Sequence, residues 1–400
     1  MSEKKLNILF LSSWYPNRVE PNLGNFVQKH AEAVAIRSNV YALHVCSDPS
    51  ITQDDFEIIE QNINGINTVN VYYKKITGQF PLVSSFIKFV KYIKAHRLGY
   101  ERLLKKAGHF DLVHHNILWP AGLFARWLKK KHGLQYIITE NNTAYLPYRN
   151  YKFSWAEKFL SKKISADAAY ITPVSVDLQK AMTTLGFNSK YEIVYNVVDT
   201  RLFSPSPQVK KQSRALGIAF LHISTLQDEH KNISGILRVI AHLQKERTDF
   251  NVLIAGDGDL TPHIAYAKEL NIINPVISFK GNQTSIQVAE LMRNSDAFIL
   301  FSNYENLPCV MVEALASGLP VVSSRVGGIP EHINDNNGIL VDARDETALL
   351  NALKQMLDNL SNGKYNKAAL NKYAVEHFSY ENVSKRFHDI YSLILNKHVQ

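Results

Sequence analysis

Residues 297–323 read AFILFSNYENLPCVMVEALASGLPVVS. An apolar run ends at Phe301, a polar loop carries Glu305, Pro308 opens a helix, and Gly318-Leu319-Pro320 closes it before a second apolar run at Val321–Ser323. Proline suits a first helical turn, where its missing N–H costs nothing, and glycine with proline punctuates the other end. Strand, helix and strand in so short a stretch make a βαβ unit, and strands joined this way lie parallel.

The same alternation extends in both directions. Strands are expected at Asn7–Leu11, Val40–Val45, Thr68–Tyr73, Leu112–His114, Tyr136–Thr139, Tyr170–Pro173 and Glu192–Tyr195, then at Ala219–Ser224, Asn251–Ala255, Val276–Phe279, Ala297–Phe301, Val321–Ser323 and Gly338–Val341, with helices between them. The stretch Ser204–Ser213, rich in Pro, Ser and Lys and without periodicity, reads as a linker between two α/β units. Beyond about residue 360 only helical patterns remain, ending in Tyr380–Asn396.

The chain has 400 residues, 46% hydrophobic and 20% charged, which excludes intrinsic disorder and a collagen-like repeat and leaves room for two cores. Two cysteines, Cys46 and Cys309, exclude a disulfide scaffold and fit a reducing compartment. No stretch approaches the roughly 20 apolar residues of a membrane span. The run Leu6–Leu11 reads as a buried strand rather than a secretion signal, so the expected location is cytoplasmic, peripheral at the inner face of the plasma membrane. The net charge of +9 is unevenly placed. Residues 1–200 hold 25 basic and 16 acidic side chains, whereas residues 201–400 hold 20 of each. Residues 71–110 alone carry nine basic residues against Glu101, which points to an anionic partner for the first half.

In open α/β sheets ligands bind beyond the carboxyl ends of the strands, so the loops there are the places to seek chemistry. Two such domains placed face to face make a cleft at their junction. The loop after the first strand brings Gly24 to a helix start, where backbone N–H groups and the helix dipole favour an anion; a plain turn is the competing reading. Glu140, Asn141 and Asn142 follow an apolar strand and suit a hydroxyl-rich substrate, with helix capping as the alternative. His114 and His115 alternate across a strand and so do not share a metal. Asp257-Gly258-Asp259 matches an Asp-x-Asp metal signature literally, but turn chemistry explains it. Glu305 on its loop and Glu313 within the following helix stand among apolar neighbours, and carboxylates there need partners. A glycosidase pair is a rival reading, although a loop and a helix in one short segment are better suited to holding one ligand at two points.

Taken together, these residues resemble the retaining glycosyltransferases of the GT-B fold, specifically family 4. The resemblance rests on Pro21-Asn22-Leu23-Gly24, Asp111-Leu112-Val113-His114, Tyr195-Asn196-Val197-Val198-Asp199, Phe203-Ser204-Pro205, Lys231-Asn232, Gly256-Asp257-Gly258, Phe279-Lys280-Gly281 and the Glu305/Glu313 segment, in that order. It implies two Rossmann-like doubly wound domains facing across a cleft. These are an acceptor-binding domain, 1–205, and a nucleotide-sugar-binding domain, 206–378, followed by a C-terminal helix, 379–400, packing back on the first. It also implies that Lys231 neutralises the departing diphosphate, with Gly24 meeting the same phosphates. Glu305 contacts the transferred sugar beside the Asn306 and Leu307 amides, Glu313 accepts from ribose hydroxyls, and the Gly281-Asn282 loop clamps the base. No metal or other cofactor is expected, and the partners are a nucleotide sugar and a saccharide or lipid-linked acceptor, as in surface polysaccharide biosynthesis.

Two departures stand out. Asn141 replaces a histidine frequent in the family, and Thr225 stands near a frequent arginine, so diphosphate stabilisation rests on Lys231 with His230 or Arg18 in support. Glu140, Asn141 and Arg18 are placed on the acceptor side. Between Phe80 and Gly108, aromatic and aliphatic residues alternate with Lys88, Lys91, Lys94 and Arg97. That stretch reads either as a face toward anionic lipid or as an ordinary helix with snorkelling lysines. A nucleic-acid surface is a third reading, disfavoured because no binding module is recognisable, and no nucleic-acid partner is expected. A GT-B-type sugar-nucleotide epimerase and a non-catalytic nucleotide-sugar binder are the functional alternatives.

Overall fold

A computed structural model describes residues 5–76, 81–149, 151–205, 217–272 and 275–396. Residues 206–213 of the expected linker lie outside them. The chain divides into two compact units. The first holds residues up to Val174, then Leu178–Val197 and Tyr380 onward; the second holds Ser175–Asp177 and Val198–Ser379.

In the first unit β1 (Asn7–Ser12), α1 (Asn25–Ala35), β2 (Asn39–Asp48), β3 (Phe56–Ile63), β4 (Ile66–Lys74), α2 (Pro81–Ala107), β5 (Leu112–Asn116), α3 (Gly122–His132), β6 (Tyr136–Glu140), α4 (Trp155–Asp167) and β7 (Tyr170–Pro173) lead to α5 (Val176–Thr184). The sheet order is β3-β4-β2-β1-β5-β6-β7, parallel except for β3. Strands β1, β5 and β6 are buried along their whole length, as a parallel sheet covered on both faces requires. Right-handed crossovers place α1 on one face, because β1 to β2 steps one way along the sheet, and α2, α3 and α4 on the other, because their connections step the opposite way.

The sequence reading missed β3. It is a half-exposed edge strand carrying Glu57 and Glu60, joined to β4 through Asn64-Gly65, both with positive φ, a turn signal that belongs to hairpins. The strand expected at Glu192–Tyr195 is absent, leaving an isolated bridge between Ile171 and Tyr191. The next rung would need an N–H from Pro173, which has none.

The second unit runs β8 (Ile218–Thr225), α6 (Asp228–Lys231), α7 (Ile233–Leu243), β9 (Phe250–Asp257), α8 (Thr261–Glu269), β10 (Ile277–Lys280), α9 (Ser285–Arg293), β11 (Ala297–Leu300), α10 (Cys309–Ala316), β12 (Val321–Ser324), β13 (Gly338–Val341), α11 (Glu346–Ser361) and α12 (Lys367–Phe378). Its six strands are parallel in the order β10-β9-β8-β11-β12-β13. Pro308 is the N-cap of α10 rather than its first residue, and Ser317 is its C-cap, followed by Gly318 at φ 78°. Helix α13 (Tyr380–Asn396) belongs to the first unit, where Phe387, Ile390 and Tyr391 join the core formed by β1 and α1.

Candidate functional site

The order of strands in the second unit reverses at β8 and β11. The chain steps outward from β8 to β10, then resumes at β11 on the other side of β8. Connections leaving two such neighbouring strands diverge and open a crevice at their carboxyl ends. Lys231 follows β8 through the single turn of α6, and Glu305 follows β11. Strand adjacency therefore joins residues 74 positions apart: Lys231 Nζ donates to Glu305 Oε1 at 2.5 Å.

Ser302 Oγ donates to the same oxygen at 2.7 Å, and His230 Nε2 lies 3.7 Å from Oε2. The His230 ring stacks on Tyr304 with centroids 4.1 Å apart, and its Nε2 bonds the Tyr304 carbonyl oxygen at 2.9 Å. A carbonyl only accepts, so Nε2 carries the proton. Burial pushes the Glu305 carboxyl up, but the Lys231 charge and His230 outweigh it and hold the carboxyl well below the usual range. A buried ammonium and carboxylate thus compensate each other at the mouth of the crevice.

The backbone around Glu305 is held from behind. Gly328 N–H donates to the Asn306 carbonyl at 2.8 Å, and Ser175 Oγ donates to Asn306 Oδ1 at 2.8 Å. Gly327 sits at φ 56°, where a Cβ would lie 2.1 Å from the Glu305 carbonyl oxygen. Glu331 closes this turn by accepting N–H bonds from Val176 and Asp177 at 3.0 Å each. Gly327→Ala is therefore expected to cost at least about 2 kcal/mol and to lower turnover, since the αL penalty adds to a backbone clash. Gly363→Ala, at φ 67° with nothing within 4 Å, is the control and should show the conformational penalty alone. Calorimetric melting of both variants checks this.

Leu307, and Glu313 within α10, are buried next to this pair in sequence. Gly281 and Asn282 are exposed beyond β10, which β9 separates from β8, so they stand about 10 Å along the sheet from the Lys231 connection. Asp259 Oδ1 accepts the Thr261 N–H at the start of α8, the turn role expected of it. Among the described residues no three His, Cys, Asp or Glu side chains group as a metal site.

In the first unit the corresponding reversal falls between β1 and β5. Ser13 bridges their ends: its N–H donates to the Asn116 carbonyl at 3.2 Å and its Oγ to the Ile117 carbonyl at 2.9 Å. Gly24, at φ 71°, precedes α1, and a Cβ there would meet the Trp14 carbonyl oxygen at 2.5 Å, which alone demands glycine. Two of the candidate residues already have partners within this unit. Arg18 is not a spare cation: Nε donates to Asp48 at 2.6 Å, both terminal nitrogens bind Glu57 at 2.7 and 2.6 Å, and the guanidinium covers Tyr72. Glu140 is buried and holds backbone amides: Oε2 accepts from Leu118 N–H at 2.8 Å, and Oε1 accepts from Asn141 and Asn142 N–H at 2.9 and 2.8 Å. Burial pushes its carboxyl up to about 7 against the pull of those amides. Asn141 Nδ2 donates to Asn196 Oδ1 at 2.7 Å.

On α2, Lys88 is exposed, whereas Lys91 pairs with Asp55 at 2.6 Å, Lys94 lies over the Phe56 ring and Arg97 over Trp127. Among the described residues no helix is long and apolar enough to cross a membrane.

Comparison with known proteins gives consistent results. The family described as glycosyl transferases group 1 matches residues 210–374, and glycosyltransferase family 4 matches residues 64–202. The putative glycosyltransferase EpsF of Bacillus subtilis (strain 168) is 30% identical over 247 residues, 59% of this chain and 62% of that protein. N-acetyl-alpha-D-glucosaminyl L-malate synthase of Bacillus anthracis is 31% identical over 219 residues, 52% of this chain and 55% of that protein. The chain thus spans somewhat over half the length of these relatives. Among solved structures, sucrose-phosphate synthase from Thermosynechococcus elongatus superposes with a TM-score of 0.76 at 18% identity, covering 98% of this chain and all of that one. Anabaena HepE in complex with UDP and glucose superposes with a TM-score of 0.68 at 17% identity, covering 97% and 99%. At such identities the likeness concerns the fold.

Proposed function

Because the chain belongs to the glycosyltransferases of family 4 and group 1, with the GT-B fold, we propose that it is a retaining hexosyltransferase moving a sugar from a nucleoside diphosphate donor to a saccharide or lipid-linked acceptor in surface polysaccharide biosynthesis. The observation that carries this reading is the buried Lys231–Glu305 pair at the topological reversal of the second unit. A diphosphate entering there competes with Glu305 for the Lys231 ammonium, and the released carboxylate accepts hydrogen bonds from sugar hydroxyls. In the reaction the bond from the anomeric carbon to phosphate oxygen breaks, with its electron pair going to the diphosphate, and a bond to the acceptor oxygen forms on the same face. The acceptor proton passes to the departing phosphate oxygen. Negative charge grows on the diphosphate as it leaves, which is where a fixed cation lowers the barrier most.

In the same reading the Asn306 and Leu307 amides flank the sugar and phosphate, Glu313 takes the ribose, and Gly281 and Asn282 the base. HepE, solved with UDP and with UDP-glucose, supports a uridine nucleotide as the first donor to try. No step requires a metal. Nor does any require a base at Asn141, so Asn141→His is expected to change turnover less than tenfold, whereas a supplied general base is worth about 10²–10⁴; steady-state turnover of the variant decides it.

Melting curves in a panel of nucleotide sugars test the proposal. A cognate donor at about 100 times its Kd stabilises by about 2.7 kcal/mol, and adding acceptor should then release nucleoside diphosphate. If no nucleotide sugar raises the melting temperature, the reading fails. Isomerisation of donor in the absence of acceptor would favour the epimerase instead.

A further inference from the structure

The first unit leaves large apolar side chains in water in two places. Helix α2 exposes Phe86, at 68%, with Ile87, Phe89 and Val90 beside it. Helix α4 and the segment before it expose Trp155, at 81%, with Tyr148, Tyr151 and Phe159. Single exposed hydrophobes are ordinary, but clusters of this kind mark surfaces that are covered in use.

The topology brings these two clusters to one rim. Strands β4 and β6 are parallel members of the same sheet, and α2 and α4 leave their carboxyl ends, so both helices begin at the same edge. Both lie on the same face, in one layer with α3: Arg97 of α2 covers Trp127 of α3, and Arg126 of α3 binds Asp167 of α4 at 2.5 Å. The α2 cluster lies in the opening turns of its helix, Trp155 and Phe159 in those of α4 with Tyr148 and Tyr151 just before it, and β5, whose end carries the Ser13 bridge, lies between the strands that launch them.

The charge around the rim is predominantly basic, with Lys91 paired to Asp55. Residues 81–97 hold Lys88, Lys91, Lys94 and Arg97 and no acidic residue, and residues 148–163 hold Arg149, Lys152, Lys158, Lys162 and Lys163 against Glu157. On α4 the outward stripe is Trp155, Phe159 and Lys163: the two rings stack at 5.5 Å, and the ammonium lies over Phe159 at 5.4 Å. The inward face holds Ser161, Ile164 and Ser165. On α2 a groove of about 270 Å³ has Phe56, Phe86, Ile87 and Val90 on its walls, with Lys94 and the Lys91–Asp55 pair completing its lining. Aromatic rings flanked by lysines match the boundary between acyl chains and anionic headgroups, where each lysine near the surface adds to binding.

We propose that the opening turns of α2 and α4 form a two-point docking rim for an anionic phospholipid bilayer. The rim sets the carboxyl edge of the acceptor domain's sheet against the membrane, so that an acceptor carried on a lipid reaches that edge without leaving the bilayer. Its two apolar clusters insert, and the lysines between and behind them neutralise headgroups. The surface rests on the first unit alone and stands whether or not the donor reading holds.

Flotation with vesicles of neutral phosphatidylcholine, and with vesicles containing phosphatidylglycerol, tests it. The full chain should float with the anionic vesicles, lose binding as salt is raised, and bind neutral vesicles weakly. Phe86→Ser/Phe89→Ser and Trp155→Ser/Phe159→Ser should each weaken partitioning more than about tenfold, since each removes two inserted side chains. Lys158→Glu/Lys162→Glu, which leaves the rings intact, should do the same. All these positions are exposed, so melting temperature and the shift produced by nucleotide sugar should stay as in the unaltered chain. Vesicle binding that survives either serine pair, or equal binding to neutral vesicles, overturns the proposal. Tight binding to an oligonucleotide that the serine pairs leave unchanged would assign the rim to nucleic acid and also overturn it.

Discussion

Lys231→Met is expected to lower kcat/KM for sugar transfer by at least about 10²–10³-fold, the loss seen when one fixed donor to a developing anion is removed. The effect should fall mainly on kcat, because the diphosphate gains charge on leaving. Stability is a separate consequence. Glu305 is 5% exposed and loses its one close ammonium while keeping Ser302 and the more distant His230, and breaking a buried ion pair costs about 3–5 kcal/mol. Activity loss in that variant therefore has two sources. The double variant Lys231→Met/Glu305→Gln separates them by removing both charges: melting should return most of the way to that of the unaltered chain while transfer stays lost. Recovery of transfer in the double variant would show that Lys231 serves the fold and not the reaction.

Below pH 6.5 the first unit is expected to unfold before the second. His30, His44, His96, His114 and His115 are completely buried in it, and burial pushes His30, His44 and His115 down to about 4, His96 to about 3 and His114 well below its ordinary value. A histidine whose value is depressed by folding contributes stability that is complete above the unfolded value of about 6.5 and is lost as pH falls toward the folded one. At pH 5 the unfolded chain binds protons that the folded unit refuses, which costs about 2 kcal/mol for each of His30, His44, His96 and His115, on the order of 8 kcal/mol for the four, and His114 acts in the same direction. That matches the whole stability of an ordinary domain. Glu140 acts in the opposite direction, because its raised carboxyl takes up a proton on acidification that the unfolded chain does not, but it is one group against five. The second unit holds two histidines lowered in this way, His222 and His332. Hydrogen exchange followed by mass spectrometry between pH 7 and 5 should show α1, β2 and β5 losing protection first. Simultaneous loss in both units would contradict this.

The alternation of apolar runs and amphipathic stretches placed twelve of the thirteen strands found among the described residues, because buried parallel strands leave a continuous apolar signal. Edge strand β3 escaped because polar Glu57, Glu60 and Gln61 fall on both of its faces and break any apolar alternation. The loop carrying Glu305 was legible from its strand, proline and glycine markers. What it touches was not, because the Lys231 contact follows from strand order, which the chain does not spell out. Ser302 and the Gly327-Gly328 turn carry no chemistry of their own and act only through what lies behind Glu305. The partners of Arg18 and Glu140 were not legible for a common reason. A charged residue at a strand end looks the same in sequence whether it faces a ligand or the protein's own amides and carboxylates, and here Asp48, Glu57 and three backbone N–H groups had already claimed them. Trp155 and Phe159 look like core residues until α4 is seen to turn them outward.

The central claim is retaining transfer from a nucleoside diphosphate sugar bound at the Lys231–Glu305 pair. Nuclear magnetic resonance of the product formed from a donor labelled at the anomeric carbon reads it most directly. An α-configured donor should yield an α-linked product with stoichiometric release of nucleoside diphosphate, both reduced together in Lys231→Met/Glu305→Gln. A β-linked product, or α-linked product formed at the unaltered rate by that double variant, would contradict the account.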